Sequence, residues 1–325
     1  MNRIVAFISV LALLSGCASR EVMNLVDLEP GQLPPPDITL NIPGLGPCTD
    51  NPDRSLHLDS SQPVNVLVHG CFGSSGQFRS LAQVLAFHGQ QSACFTYNDR
   101  AKLTHSATEL RRAIQQLAEQ SHTPQITVIG HSQGALIARH SLTDSHSQLT
   151  PLPGLPANLR LVTISGPFSG IESARTCGKV WLYPLTLGLV PVSCYLATGP
   201  KWTDITYSSR FIREPGVLAQ QVTHYLKIDT DERGTCRHEE KGRCVEGDDV
   251  FSLGEQRNAL VETDLRITRV EVNAGHVEIV GNERGAPIKL IKILQDQGVL
   301  HPTAASHLSA FSLLLSQIYQ ENELQ

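Results

Sequence analysis

The chain has 325 residues, enough for one large domain or two small ones, and it is 41% hydrophobic and 18% charged, as globular proteins are. Its formal net charge is −5, and acidic and basic residues are interspersed along it, so nothing in the composition suggests the basic surface of a nucleic-acid-binding protein. We therefore expect a globular protein without a nucleic-acid partner.

The N-terminus has the pattern of a processing segment. Arg3 precedes a mostly apolar run of eleven residues, Ile4 to Leu14, which is too short to span a bilayer. The run ends in Leu14-Ser15-Gly16-Cys17, which resembles the lipobox of bacterial lipoproteins. The resemblance implies that residues 1–16 are a signal peptide and that Cys17 is acylated. Because Ala18 follows, it favours the outer membrane of the cell envelope, facing the periplasm. The alternative is an ordinary secretory signal that contains a cysteine by chance.

A Pro-rich leader occupies residues 17–61 and cannot form a regular helix, because proline lacks the backbone N–H donor. We expect it to tether the domain to the membrane and then to pack along the domain. Several acyl chains, at about 0.8 kcal/mol per buried methylene, would anchor the chain without a transmembrane helix.

Export implies an oxidising compartment, so the other cysteines are candidates for disulfides. Cys236 and Cys244 bracket a short polar loop, and Cys177 and Cys194 bracket an apolar segment, so both pairs are expected to form local disulfides. A metal site built from Cys236, His238 and Cys244 is the competing interpretation, but neither flank repeats the spacing of metal ligands. We expect no metal.

Three further cysteines remain, Cys48, Cys71 and Cys94. Because their number is odd, one thiol is expected to stay outside a disulfide. The pairs Cys71–Cys94 and Cys48–Cys71 are both possible, and the sequence does not choose between them.

Strand and helix patterns alternate in the first part of the domain. A buried-type strand, Val64 to Val68, ends in His69-Gly70, and a helical pattern follows over residues 76–89. Residues 92–97 form a second strand pattern. Ser106 and Glu109 fit a capping box, which predicts that a helix begins there.

The most informative stretch is Gly130-His131-Ser132-Gln133-Gly134. It lies between a strand pattern, Gln125 to Ile129, and a helix-forming run over residues 135–140. A serine with glycines two residues away on either side, at a junction of strand and helix, is typical of a nucleophile elbow. The turn is so tight that side chains at the flanking positions would collide with the backbone. It also places Ser132 at a helix N-terminus, where N–H groups can stabilise an anion.

Three more strands follow, at Leu159 to Ser165, Val222 to Ile228 and Leu265 to Val272, with helices near 285–297 and 303–319. The alternation predicts an α/β protein with a mostly parallel sheet covered by helices on both faces. Ligands in such sheets bind at the carboxyl ends of the strands, where Ser132 lies.

A serine hydroxyl needs a base, an orienting acid and an oxyanion site to act as a nucleophile. His276 is the predicted base, because it lies in a short turn directly after the last strand and can reach the serine from there. His140 lies within the elbow helix and His224 within a strand, so both are poorer candidates.

The elbow and the later His276 resemble the α/β-hydrolase superfamily, in particular bacterial lipases and esterases, over about residues 62–320. The resemblance implies that fold. It also implies a serine hydrolase that cleaves carboxylic esters through an acyl-enzyme and needs no cofactor. A thioesterase, an acyltransferase and a non-catalytic envelope-binding protein remain alternatives. The oligomeric state is open.

The acid and the oxyanion hole follow from the same resemblance. The stretch from Val245 to Phe251 resembles the acid-bearing turn of these enzymes and makes Asp248 the acid, with Asp249 next. Asp229, Asp231 and Glu246 remain further candidates. His69-Gly70-Cys71 resembles the oxyanion motif of lipases, so the backbone N–H groups of Cys71 and Gln133 are the expected oxyanion donors.

The segment 171–214 does not fit a repeat of strand and helix, because it is apolar and contains many prolines and glycines. It lies where this fold inserts a cap over the site. Its large apolar residues would line an acyl-binding groove or a mobile lid; the alternative is that they pack on the sheet. They are Trp181, Leu182, Tyr183, Leu185, Leu187, Leu189, Val190 and Trp202.

Overall fold

The computed structural model describes residues 31–144, 152–174, 176, 177, 179, 182–186, 188–281 and 285–320. The predicted signal peptide and the predicted lipidation site Cys17 lie outside these residues. Within the described ranges, no helix has both the length and the apolar character needed to cross a membrane.

The central element is a mostly parallel sheet. Seven of the described strands form it in the order β13-β10-β8-β6-β4-β5-β2. All neighbouring pairs are parallel except β2 and β5, which are antiparallel. The strands are β1 (Ile38–Leu40), β2 (Leu45–Gly46), β3 (Leu56–Leu58), β4 (Val64–Val68), β5 (Gln91–Phe95), β6 (Ile126–His131), β7 (Thr143–Asp144), β8 (Leu159–Ile164), β9 (Val217–Leu218), β10 (Val222–Asp231), β11 (Cys236–Glu240), β12 (Arg243–Gly247) and β13 (Ile267–Asn273).

Helices cover both faces of this sheet. Alternate residues of β4 point to opposite faces. Val66 belongs to the same hydrophobic cluster as Leu110 and Ile137, whereas Leu67 belongs to a second cluster with Leu85 and Leu290. The helices are α1 (Arg79–Phe87), α2 (Leu103–Ser121), α3 (Gln133–Ser141), α4 (Leu182–Leu185), α5 (Leu189–Thr198), α6 (Trp202–Ile205), α7 (Arg210–Arg213), α8 (Leu253–Gln256), α9 (Ala259–Glu262), α10 (Ile288–Asp296) and α11 (Leu308–Gln320). The α/β class predicted from the sequence is confirmed, and the carboxyl ends of the parallel strands form one rim.

The predicted start of α2 was wrong. The helix begins at Leu103, so Ser106 lies within its first turn and is buried instead of capping it. The Leu103 N–H donates to Asp204 Oδ2, 2.8 Å away. A carboxylate from a distant segment thus binds an N–H group at the start of the helix, whereas the local sequence pattern placed the capping residue at Ser106.

Three disulfides join described cysteines. Cys236–Cys244 and Cys177–Cys194 form as predicted, and the pairing of Cys236 with Cys244 overturns the competing metal site.

The third disulfide joins Cys48 to Cys94, so both pairings considered for these cysteines were wrong, and Cys71 lies outside the disulfides. Cys94 is opposite Gly46 where β2 pairs with β5. The described part of the leader therefore contributes an edge strand and a covalent link to the central sheet.

Candidate active site

Ser132 lies at the turn between β6 and α3 in a strained conformation, with φ 56° and ψ −124°. The flanking glycines explain why the turn can close. A Cβ atom on Gly130 would overlap the Gly134 carbonyl, and one on Gly134 would overlap the carbonyl oxygens of Val68 and His69. The sequence therefore folds into a nucleophile elbow at the carboxyl rim of the sheet.

His276 reaches the serine from the loop that follows β13. Its Nε2 atom lies 3.0 Å from Ser132 Oγ, although 144 residues separate the two in the chain. The imidazole is buried, and the Phe251 ring packs edge-on against it with the ring centres 4.8 Å apart. The structure therefore brings together the predicted nucleophile and the predicted base.

The carboxylate beside His276 belongs to Glu232, not to Asp248. Glu232 Oε1 lies 2.9 Å from His276 Nδ1 and also accepts a hydrogen bond from Thr230 Oγ1. Glu232 Oε2 accepts from the backbone N–H groups of Val250 and Phe251, both at 2.7 Å. This carboxylate is fully buried, and its hydrogen bonds compensate the loss of water.

Asp248, the predicted acid, binds backbone groups instead of the imidazole. Its side chain accepts hydrogen bonds from the N–H groups of Val277 and Glu278 and pairs with Arg237. Its carbonyl oxygen accepts from the His276 N–H at 2.9 Å. The structure does not place Asp248 as the partner of the imidazole, because its carboxylate faces the backbone N–H groups of the loop that carries His276.

The other predicted candidates have different surroundings. Asp249 is an exposed residue. Partial desolvation of its carboxyl group raises its pKa, and the neighbouring carboxylates, first among them Glu232, raise it further. Glu246 pairs with Arg237, Asp229 with the buried Lys227, and Asp231 with Arg233. Sequence reasoning did not consider Glu232. Glu232 directly follows the last residue of β10, at the same rim as Ser132, but the sequence pattern ended this strand at Ile228 and gave no signal for it.

His131, the second residue of the elbow motif, holds the backbone of the base. Its Nε2 atom lies 2.9 Å from the His276 carbonyl oxygen. Burial lowers the pKa of His131 well below its usual value. The ring is therefore neutral and donates a hydrogen bond through Nε2, which fixes one side of the loop that carries His276.

The predicted oxyanion motif lies against Ser132. A Cβ atom on Gly70 would approach the Ser132 Cβ to 3.0 Å, so the chain passes close to the nucleophile there. Cys71 comes next, and Gln133 directly follows the serine. The neighbouring Phe72 has φ 59° and donates its N–H to Asp99 Oδ2 at 2.7 Å. The two predicted donors thus belong to two backbone segments next to Ser132.

Lys201, which sequence reasoning did not single out, joins the cap segment to this motif. Its side chain is 1% exposed, and its Nζ atom lies 2.9 Å from Cys71 Sγ and 3.6 Å from Asp99 Oδ2. The ammonium also lies 5.1 Å from the centre of the Phe72 ring. A buried cation of the cap segment therefore contacts the side chains of Cys71 and Phe72 and the carboxylate that binds the Phe72 N–H.

We expect Lys201→Met to destabilise the protein by about 1–3 kcal/mol and to lower kcat by about tenfold, because Asp99 loses its cation and the oxyanion motif loses a contact. Urea unfolding and steady-state kinetics measure the two effects. Lys292→Met is the control, because Lys292 is 74% exposed and pairs only with Asp296 among the contacts described. Equal behaviour of both variants would contradict the role of Lys201.

The cap segment carries exposed apolar side chains. Arg100, near the rim, donates to the carbonyl oxygens of Leu196 and Ala197 at the end of α5. Trp181 and Leu187 lie outside the described residues, as does the side chain of Tyr183. The large side chains that the described cap leaves exposed are Leu185, Leu189, Val192, Tyr195, Leu196 and Tyr207.

Comparison with known proteins agrees with the site. A family model described as "Putative serine esterase (DUF676)" matches residues 59–186, less than half of the chain, and this range contains Ser132. No curated protein sequence matches the chain.

Among solved structures, the mature lipase BlEst2 of Bacillus licheniformis is similar, with 14% identity, a TM-score of 0.50, and 82% of this chain and 99% of the lipase covered. The esterase Pf2001 of Pyrococcus furiosus (13%, TM-score 0.44, coverage 91% and 98%) and esterase B of Lactobacillus rhamnosus (11%, TM-score 0.43, coverage 99% and 96%) also match. The likeness to the lipase shows that the chain has the α/β-hydrolase fold.

Proposed function

We propose that this protein is a serine hydrolase that cleaves carboxylic esters through a covalent acyl-enzyme. One observation carries the proposal. Ser132 Oγ, the His276 imidazole and the Glu232 carboxylate form a continuous chain of contacts at 3.0 and 2.9 Å, buried at the rim of the sheet. Nucleophile, base and orienting acid in this order are what acyl transfer requires.

The proposed mechanism follows from these contacts. His276 Nε2 takes the Ser132 proton as Oγ attacks the ester carbonyl, and Glu232 stabilises the imidazolium through Nδ1–H. The N–H groups of Cys71 and Gln133 receive the developing oxyanion, each contributing about 2.7–4 kcal/mol as in other oxyanion holes. His276 then protonates the leaving alcohol, and a water molecule activated by the same imidazole releases the acid. Side chains and backbone amides of this chain carry every step, so the proposed mechanism uses no cofactor.

An apolar acyl chain is the proposed substrate moiety. The stretch from 182 to 199 contains no charged residue, and its described part exposes five large apolar side chains close to the rim. Such a surface favours alkyl chains over charged groups. If the lipobox is used, the enzyme would act while anchored to the cell envelope, on esters that reach the periplasm.

The test is a series of p-nitrophenyl esters from acetate to dodecanoate. We expect kcat/KM to rise with acyl length by up to about fourfold for each methylene that the cap buries, and then to level off. A fluorophosphonate probe should label Ser132, located by peptide mass spectrometry. Labelling without ester turnover would direct attention to thioesters or acyl transfer. The absence of both turnover and labelling would contradict the proposal and favour a binding role.

A further inference from the structure

Three consecutive N–H groups of the loop that carries His276 are bound to Asp248. The His276 N–H donates to the Asp248 carbonyl oxygen at 2.9 Å. The Val277 and Glu278 N–H groups donate to its carboxylate at 3.0 and 2.9 Å. The side chain of Asp248 is 1% exposed. The backbone on both sides of the imidazole is therefore attached to one buried residue.

Gly275 shows that the loop is shaped around this carboxylate. A Cβ atom at position 275 would overlap Asp248 Oδ2, so only glycine lets the chain pass. The Gly275 N–H donates to Glu278 Oε2 at 2.9 Å, which closes the loop on itself. The path of the chain before His276 thus depends on where Asp248 is held.

Arg237 balances the buried charge of Asp248. Its Nη2 and Nε atoms lie 3.0 and 3.3 Å from Asp248 Oδ1, and Nη1 lies 3.1 Å from Glu246 Oε1. Arg237 directly follows Cys236 in β11, and the Cys236–Cys244 disulfide closes the hairpin of β11 and β12. The disulfide therefore restricts the positions that the Arg237 guanidinium can occupy.

We propose that Asp248 and Arg237 are positioning residues for His276, with the disulfide-closed hairpin as their support. Asp248 accepts hydrogen bonds from the N–H groups of the loop that carries His276, and Arg237 stabilises the buried Asp248 carboxylate. The imidazole is thereby held between Ser132 and Glu232. This inference rests on the proposed function, and neither residue touches substrate or takes part in proton transfer. A small displacement of a catalytic group can cost about 10²-fold in rate, which sets the scale of the effect.

The kinetic test compares three substitutions with a p-nitrophenyl ester. Arg237→Met should lower kcat by about 10- to 100-fold and leave KM within about twofold, because the alignment of the base changes while the cap does not. Arg237→Lys should restore part of kcat, since it keeps a cation beside Asp248. Arg243→Met is the matched control, because Arg243 is an exposed residue of the same hairpin, and it should behave as wild type. Equal kcat in Arg237→Met and wild type would overturn the inference.

A second measurement does not depend on turnover. Proton NMR of the Ser132→Ala protein should show the downfield signal of the N–H between His276 and Glu232, assigned by its loss in Glu232→Gln. Adding Arg237→Met should shift or broaden this signal, and Arg237→Lys should preserve it. If Arg237→Met does not fold, Arg237→Gln replaces it, because glutamine keeps a donor without the charge.

The two measurements separate two kinds of failure. An unchanged signal in the Arg237 variants would overturn the positioning role even if the enzyme cleaves esters. A changed signal in a protein that turns over no ester would leave the positioning role standing while the proposed function fails.

Discussion

Glu232→Gln is expected to lower kcat by about 10⁴-fold, the loss seen when the carboxylate of a serine triad becomes an amide. Glutamine keeps the size of the side chain but replaces one acceptor oxygen with a donor group. In one orientation that NH₂ group faces the Nδ1–H of His276, and in the other it faces the N–H groups of Val250 and Phe251. Either orientation sets donor against donor in a buried place, so the imidazole loses the tautomer and the charge stabilisation it needs.

Steady-state kinetics on a short-chain p-nitrophenyl ester, with circular dichroism to verify folding, measures this loss. Asp249→Asn is the matched control, because Asp249 is exposed beside the site, and its kcat should stay near the wild-type value. Asp248→Asn should fall between the two, by about 10- to 100-fold, because it disturbs the loop without removing the acid. The acid assignment fails if Asp248→Asn loses about 10⁴-fold while Glu232→Gln keeps its activity.

The meeting of Ser132 and His276 could be predicted because their sequence signals are local. Two glycines at fixed positions around Ser132 indicate a turn that has no room for side chains there, and His276 lies in the short loop after a strand. Both a steric requirement of the backbone and the end of a strand produce sequence patterns that span only a few residues. The structure consequently places these two side chains together where the sequence predicted a site.

The carboxylate that contacts His276 was missed because the length of β10 is set by tertiary contacts. The pattern from Val222 ended at Ile228, since Asp229 and Asp231 are residues that favour turns. In the structure β10 continues to Asp231, because the buried Lys227 pairs with Asp229 and β13 supplies backbone partners along the whole stretch. In the sequence, a charged residue such as Asp229 looks the same whether it forms a buried ion pair within a strand or lies in an exposed turn.

The Cys48–Cys94 disulfide was missed for a related reason. It depends on the pairing of β2 with β5, which joins segments about 50 residues apart. Spacing between cysteines carries no information about such a pairing, whereas the two disulfides that close short segments could be predicted. The order of strands that are far apart in the chain is the part of this fold that could not be predicted from a single sequence.

Ser132→Ala is expected to lower kcat by about 10⁶-fold, which is the largest effect we predict, because it removes the atom that forms the acyl-enzyme. The residual activity should stay about 10³- to 10⁴-fold above the rate in water, since the oxyanion donors and the binding surface remain. Burst kinetics and fluorophosphonate labelling should both disappear. Ser141→Ala is a matched control from the other end of α3, where the hydroxyl donates only to the Ala138 carbonyl among the contacts described.

The same variant tests whether the three side chains act as one unit. Adding His276→Ala or Glu232→Gln to Ser132→Ala should cost little more, because a base and its orienting acid have no use once the nucleophile is gone. A further loss of about 100-fold in the double variant would mean that His276 activates something other than Ser132, such as a water molecule that attacks the ester directly. Ester hydrolysis that survives at the wild-type rate in Ser132→Ala would remove Ser132 from the mechanism, whatever its distance from the imidazole.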